Sequence, residues 1–236
     1  MINTIMFDLD GTILPMDYHA FVRTYFKLLA VKFTDKHPNG EIVEYIRKAT
    51  NDMITSNEPL TNETVFWNSF NRFIDSEDEY IKIFNDFYDN EFQLLKNHTW
   101  KNDFMIDSVN MLKEKGYKLM LVTNPLFPMK AILHRLSWSG VSEDTFSYIT
   151  SFEKNHYCKP NIKFYEEVLL DNRLDTENCL MVGNDCFEDL VIRELNVKTF
   201  LIDDCMINLN DVEYESDYQG SYKEFYEFVR RLPNIS

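Results

Sequence analysis

The segment Asp8-Leu9-Asp10-Gly11-Thr12 directly follows the apolar run Thr4-Ile5-Met6-Phe7. No other stretch restricts the fold as tightly. The apolar run reads as a short buried strand. Strand alternation sends Asp8 and Asp10, two residues apart, to one side. Gly11 lets the backbone turn sharply just behind them. Two carboxylates at the end of a buried strand suit a divalent metal together with a nucleophile. Taken alone, an Asp pair beside a glycine is ordinarily a solvated turn.

Three further segments repeat the arrangement. Lys118-Leu119-Met120-Leu121-Val122-Thr123-Asn124-Pro125 is an apolar strand that ends in a hydroxyl and an amide before a proline stops it. Tyr157-Cys158-Lys159-Pro160 precedes a helical pattern from Ile162 to Leu170. Cys179-Leu180-Met181-Val182-Gly183-Asn184-Asp185-Cys186-Phe187-Glu188-Asp189 runs a strand into a glycine and then presents Asp185 and Asp189. Each has a simple local explanation, as a turn, a helix entry or an N-cap. All of them in this order, each at a strand end or a helix start, are hard to obtain by chance.

In combination these segments resemble the signature of the haloacid dehalogenase superfamily, specifically its phosphatase-like members. That signature is Asp-x-Asp-Gly-Thr, then Ser or Thr after the second core strand, then Lys, then an acidic pair following Gly. The match covers roughly residues 1–15 and 104–205. One departure is visible. The commoner last motif reads Gly-Asp-x-x-x-Asp, whereas Asn184 stands between Gly183 and Asp185 here. The spacing from Asp185 to Asp189 is kept, so the metal role goes to Asp185.

Outside one long interval the chain alternates strands, expected at 3–8, 118–123, 146–150, 179–183 and 197–202, with helices, expected at 104–115, 128–137, 162–171, 187–195 and 221–231. Apolar strands separated by amphipathic helices imply an α/β fold, a Rossmann-like parallel sheet with helices on both faces. Ligands in such sheets sit at the carboxyl ends of the strands, where Asp8, Thr123 and Asp185 fall. Between Pro15 and Asn102 helical patterns take over, at 17–35, 40–55, 62–75 and 77–96. This interval resembles the helical cap of the superfamily, which closes over the site and selects the substrate. The expected division is residues 1–15 and 103–236 for the α/β core and 16–102 for the cap, with hinges at 12–17 and 97–103. Residues 208–218 read as an acidic surface loop.

The formal net charge of −15 argues against a nucleic-acid backbone or an anionic membrane as a general partner. No apolar run approaches the ~20 residues that span a bilayer. The N-terminus has no basic-then-apolar leader, and Cys158, Cys179, Cys186 and Cys205 lack Cys-x-x-Cys spacing. Both point to a cytoplasmic protein with reduced thiols. Nothing in the sequence marks an interface, and the expectation is a monomer or a homodimer. The five histidines form no metal-ligand spacing.

The resemblance implies a magnesium-dependent hydrolase of a small soluble phosphomonoester. Asp8 would attack phosphorus to form an aspartyl-phosphate. Mg2+ would be held by Asp8, Asp10 through its backbone carbonyl, and Asp185. Thr123, Asn124 and Lys159 would bind the phosphate, Asp10 would act as acid and then base, and Asp189 would orient the metal shell or pair with Lys159. Retention of Asp10 favours phosphoryl chemistry over dehalogenation, because halide leaves without a proton. A phosphosugar mutase and a non-catalytic phosphoryl-binding protein are the alternatives. Met16, Asp17, Tyr18, Phe21 and Arg23 follow the first motif closely enough to face the site, with Arg23 a candidate for a second anionic group. The cap aromatics Trp67, Phe70 and Phe73 read as helix packing.

Overall fold

A computed structural model describes residues 1–209 and 211–235. Five strands, β1 (Thr4–Phe7), β2 (Lys118–Leu121), β3 (Cys179–Gly183), β4 (Lys198–Ile202) and β5 (Tyr218–Gly220), form one sheet in the order β2-β1-β3-β4-β5. All neighbouring pairs are parallel. The register decides where the site lies. Phe7 stands opposite Leu121 on one side and Val182 on the other. Asp8, Thr123 and Asp185 therefore leave the sheet at the same edge, one to three residues beyond that row.

Strand alternation divides the core into two layers. Ile5, Phe7, Leu121 and Val182 pack on one face with Met105 and Val109 of α5 (Asp103–Glu114) and Phe225 and Val229 of α8 (Tyr222–Arg231). Met6, Met120 and Met181 pack on the other with Phe164 and Val168 of α7 (Ile162–Asp171). The expected parallel α/β sheet with helices on both faces is the observed one. All four cysteines are free thiols, and no helix among the described residues is long and apolar enough to cross a membrane.

Between β1 and α5 the chain forms only helices: α1 (Tyr18–Lys32), α2 (Ile42–Thr55), α3 (Asn62–Phe70), α4 (Glu77–Asp89) and a 3-10 segment, Glu91–His98. Asp17 caps α1 by accepting from Ala20 N at 2.9 Å, which supplies one of the otherwise unpaired N–H groups of the first turn. The insertion holds itself together with aromatic rings. Phe70 is fully buried against Phe66, Tyr80 and Phe84, with centroids 5.4–5.8 Å apart. Each such pair contributes roughly 0.5–1.5 kcal/mol beyond its area burial. Chain entry and exit are tied at one place: Asp17 N donates to His98 O at 2.9 Å and Trp100 N to Pro15 O at 3.0 Å.

Three local expectations change. Residues 146–150 do not form a strand; Ile149 makes a single bridge to Leu121. Backbone bonds to β2 are nevertheless made, from Ser147 N to Leu119 O at 2.8 Å, Leu121 N to Tyr148 O at 2.9 Å and Thr150 N to Leu121 O at 3.0 Å, and Ser147 Oγ and Thr150 Oγ1 donate to the Leu119 and Thr123 carbonyls beside them. In place of an α-helix over 187–195 there is a 3-10 segment, Leu190–Leu195; just ahead of it Asp185 Oδ1 accepts from the N–H groups of Phe187 and Glu188. The pattern over 77–96 breaks at Asn90, whose ψ of −80° turns the chain out of α4. The acidic segment expected as a loop at 208–218 carries no helix or strand among its described residues before Tyr218, where edge strand β5 begins; Asn210 lies outside the described residues.

Candidate active site

Lys159 sits at the centre of the site. Its Nζ donates to Asp8 Oδ1 at 2.9 Å and to Asp189 Oδ1 at 2.6 Å, and all three side chains are buried. Burial works to lower the Lys159 ammonium, but Asp189 and Asp8 outweigh it and hold it well above the usual lysine value. Burial, against the pull of Lys159, raises Asp8 from 3.8 to about 7. Asp189 is saturated instead: its Oδ2 accepts from Asn184 N and Asp185 N, both at 3.0 Å. Gly183 makes that possible, since a Cβ there would collide with the Asp189 carboxylate.

Asp10 lies beside Asp8 but has a different partner. Its Oδ2 accepts from Nη1 of Arg135, a fully buried residue on α6 (Met129–Ser139). Arg135 is fixed by a bond from Nε to Ala131 O at 3.2 Å and by the Phe127 ring, 4.5 Å from its guanidinium carbon. Burial raises the Asp10 pKa against the opposing charges of Arg135 and Lys159. Nothing in the motifs pointed to Arg135. A signal was present: it occupies the apolar stripe of α6, between buried Ile132 and Leu136. A cation in that position requires a buried partner.

Asn184, the residue that departs from the commoner motif, has a structural task. Its Oδ1 accepts from Thr12 Oγ1 at 3.0 Å, and its Nδ2 donates to Cys205 O at 2.7 Å. It thereby ties the Asp8–Thr12 loop to the chain after β4. Gly11, at φ +85°, packs so closely on the Asn184 amide that no Cβ fits. The insertion leaves Asp185 facing the cavity, half-buried, with Oδ1 held by two backbone N–H groups.

Glu188 is a second residue that the motifs did not point to. It lines the cavity and accepts from Asn124 Nδ2 at 2.9 Å. Burial raises it from 4.5 to about 8. Asn124 also accepts from Lys159 N at 3.2 Å. Its side-chain amide thus holds the Lys159 loop and Glu188 at a point where it also lines the cavity. Thr123 is buried with its side chain at the cavity wall.

These groups floor one cavity of about 260 Å³ between the sheet edge and the helical insertion. Asp8, Asp10, Thr123, Asn124, Asp185 and Asp189 all line it; Met16, Tyr18 and Phe21 close it from above. Asp17 serves as a helix cap and Arg23 is exposed away from the lining. Among the described residues, no three His, Cys, Asp or Glu side chains converge closely enough to hold a metal ion as they stand. Asp8 leans on Lys159, Asp10 on Arg135 and Asp185 on backbone N–H groups. The donor chemistry nevertheless fits magnesium. Every candidate ligand is an oxygen, and five carboxylates face the two cations Lys159 and Arg135. Burial is the first cause that raises Asp8, Asp10 and Asp185, and neighbouring carboxylates add to it at Asp8 and Asp185; a divalent cation would offset the cost of keeping them ionised.

A family model described as haloacid dehalogenase-like hydrolase matches residues 2–190. The chain is 22% identical over 198 residues to pyrophosphatase PpaX of Bacillus pumilus, covering 84% of this chain and 82% of that protein. Among solved structures it is similar to a HAD phosphatase from Thermococcus onnurineus (TM-score 0.63, 16% identity, 99% of this chain and 100% of that one). It is also similar to a predicted phosphoglycolate phosphatase from Haemophilus somnus 129PT (TM-score 0.59, 16% identity, 96% and 97%), and to an L-2-haloacid dehalogenase from Xanthobacter autotrophicus (TM-score 0.58, 12% identity, 98% and 100%). At these identities the structural likeness speaks for the fold alone. The match over most of its length makes the chain a member of the haloacid dehalogenase-like hydrolase family.

Proposed function

We propose that this hydrolase is a magnesium-dependent phosphatase of a small phosphomonoester. The observation that carries the reading is the pairing of Asp8 with Asp10 on one cavity floor, Asp8 held by Lys159 and Asp10 free of it. A phosphate monoester resists nucleophiles because its oxygens are anionic, so a catalyst must neutralise charge, align a nucleophile and protonate the leaving oxygen. A carboxylate oxygen of Asp8 forms a bond to phosphorus while the ester oxygen departs with the bonding pair. Asp10, in its acid form, gives that oxygen a proton; as carboxylate it then takes one from the water that attacks the aspartyl-phosphate. Dehalogenation needs no such donor.

Thr123 donates its hydroxyl to a phosphate oxygen, and Lys159 neutralises charge on the phosphate and on Asp8. Mg2+ would be held by Asp8, the Asp10 carbonyl and Asp185, and would supply charge neutralisation for the phosphoryl group. Asp185 suits direct ligation better than Asp189, whose oxygens are already occupied by Lys159 and two N–H groups. We further propose that residues 16–102 act as the substrate-selecting cap, which the tied entry and exit at residues 15–17 and 98–100 support. The complete set of Asp8, Asp10, Thr123, Lys159 and Asp185 speaks against a non-catalytic protein.

Likeness to pyrophosphatase PpaX supports a second reading, in which the leaving group is itself a phosphate. Phosphate release from a panel of monoesters and from pyrophosphate, with Mg2+, with EDTA and with Asp8→Asn, tests both. Metal-dependent release that disappears in Asp8→Asn supports phosphatase chemistry, and the preferred substrate chooses between the readings.

A further inference from the structure

The cavity has two unlike ends. Its floor carries the carboxylates and Thr123. Its upper wall is formed by Val22, Tyr25, Phe26, Ile46, Leu126 and Phe127. No lysine or arginine of the insertion lines it among the described residues. Tyr25 does not change that character, because its hydroxyl is hydrogen-bonded to the Tyr88 hydroxyl at 3.1 Å and turns only its ring to the cavity. Arg47, an exposed residue on α2, rests its guanidinium over the Phe26 ring with 4.5 Å from its central carbon to the ring centroid, yet is not part of the lining. From the insertion, Thr50 and Tyr18 are the only polar lining side chains besides Tyr25.

A leaving group bound against this wall would be selected by that chemistry. A sugar carries several hydroxyls, each needing a partner once it is out of water, and Thr50 and Tyr18 cannot serve them all. A carboxylate or a second phosphate needs a cation, and the wall supplies none while the floor is already rich in carboxylates. An aromatic ring matches: it buries apolar area and meets Phe26, Phe127 and Tyr25 edge or face. The volume of about 260 Å³ lies at the small end of ligand clefts, which leaves room for a phosphate and about one ring.

Resting on the phosphatase reading, we propose that the substrate is the phosphate ester of a small, apolar, ring-bearing alcohol, and that the apolar wall that Phe26 of the insertion and Phe127 of the core form together selects against sugar phosphates, phosphoglycolate and pyrophosphate. Benzyl phosphate is the informative probe, because its leaving alcohol is an alkoxide-forming alcohol like that of a sugar phosphate and carries no built-in reactivity advantage of a phenol.

The test separates selection from turnover. Binding is measured by calorimetry on Asp8→Asn with Mg2+, using the non-hydrolysable benzylphosphonate, a hydroxyalkylphosphonate and methylenediphosphonate. Benzylphosphonate is expected to bind about tenfold more tightly than either, a fraction of what burial of a ring supplies. In the same background, Phe26→Ala and Val22→Lys are each expected to abolish that advantage, the second by shifting preference toward methylenediphosphonate. Equal or tighter binding of the hydroxyalkyl or diphosphonate compound would overturn the proposal. Turnover by the parent enzyme is scored separately as phosphate release. A ring preference in binding with no phosphate release from any ester would contradict the phosphatase reading and not the wall's selectivity. Release that favours a hexose phosphate over benzyl phosphate would contradict the selectivity and not the phosphatase reading.

Discussion

Arg135 and Asp10, 125 positions apart in the chain, meet in an ion pair whose arginine is buried and whose aspartate opens onto the cavity. The pair places a fixed positive charge behind the proposed acid and leaves Lys159 to the proposed nucleophile. Two carboxylates that are neighbours in sequence are thereby given different electrostatic partners.

Replacing the guanidinium tests this division. Arg135→Met leaves the Asp10 carboxylate without its partner and is expected to destabilise the fold by about 3 kcal/mol, the low end for breaking a buried pair, because Asp10 keeps some contact with water. Turnover is expected to fall about tenfold or more through misplacement of Asp10. Arg135→Lys keeps the charge and is expected to recover part of both. Denaturant unfolding and steady-state kinetics on the two variants check the ordering.

Gly183 provides a second handle on the same network. A methyl group there collides with the Asp189 carboxylate, which must move away from Lys159 and from the N–H groups of Asn184 and Asp185. Gly183→Ala is expected to lose about 2 kcal/mol of stability through overpacking, with a fall in turnover from the loosened Lys159. Stability and activity both at the parental level would show that Asp189 does not hold Lys159 in place.

The raised carboxylates give the metal-free protein a definite pH dependence. Asp8 rises from 3.8 to about 7 and Glu188 from 4.5 to about 8, so the folded state binds their protons more tightly than the unfolded chain does. Their contribution to stability is complete below the unfolded values and is lost as pH rises through the folded ones. The melting temperature in EDTA is therefore expected to fall between roughly pH 5 and 8, with a shallower slope in the Asp8→Asn, Glu188→Gln double variant. Mg2+ is expected to raise the melting temperature more at the alkaline end, where the carboxylates are ionised. A slope unchanged by the double variant would remove these residues from the explanation.

Asp185 and Asp189 divide their tasks by how many oxygens are already occupied. Asp185→Ala is expected to raise the Mg2+ concentration needed for half-maximal rate about tenfold or more, as read from a metal titration at saturating substrate. An unchanged titration would transfer ligation to Asp189. Calcium is expected to inhibit, because its looser coordination does not keep the reacting atoms in line.

The strand ends were legible because chemistry and topology coincide there. Asp8, Thr123 and Asp185 stand at the carboxyl ends of apolar runs, and a parallel sheet brings those ends to one edge whatever the intervening sequence. The helical insertion was legible from spacings of three and four, as with Phe21, Tyr25 and Leu29, all buried on one face of α1. Arg135 was not, since its partner is fixed only when α6 docks beneath the Asp8–Asp10 loop. Glu188 was hidden by its neighbours: an acidic residue next to Asp189 reads as a solvated charge until the fold buries it. Strand β5 covers three residues, too few for any alternation to register. Arg23 is the reverse case. Its proximity to the first motif suggested a ligand contact, but its position on α1 turns it outward.

The central claim is that Asp8 carries the phosphoryl group, and the most direct test traps it there. The enzyme is quenched during Mg2+-supported turnover of a phosphomonoester, reduced with borohydride, and the peptide containing residue 8 is sequenced by mass spectrometry. An aspartyl-phosphate is reduced to homoserine, so homoserine at position 8, absent without substrate and absent in Asp8→Asn, is the result this account predicts. Continued phosphate release from Asp8→Asn, or trapping of the phosphoryl group on any other residue, would contradict it.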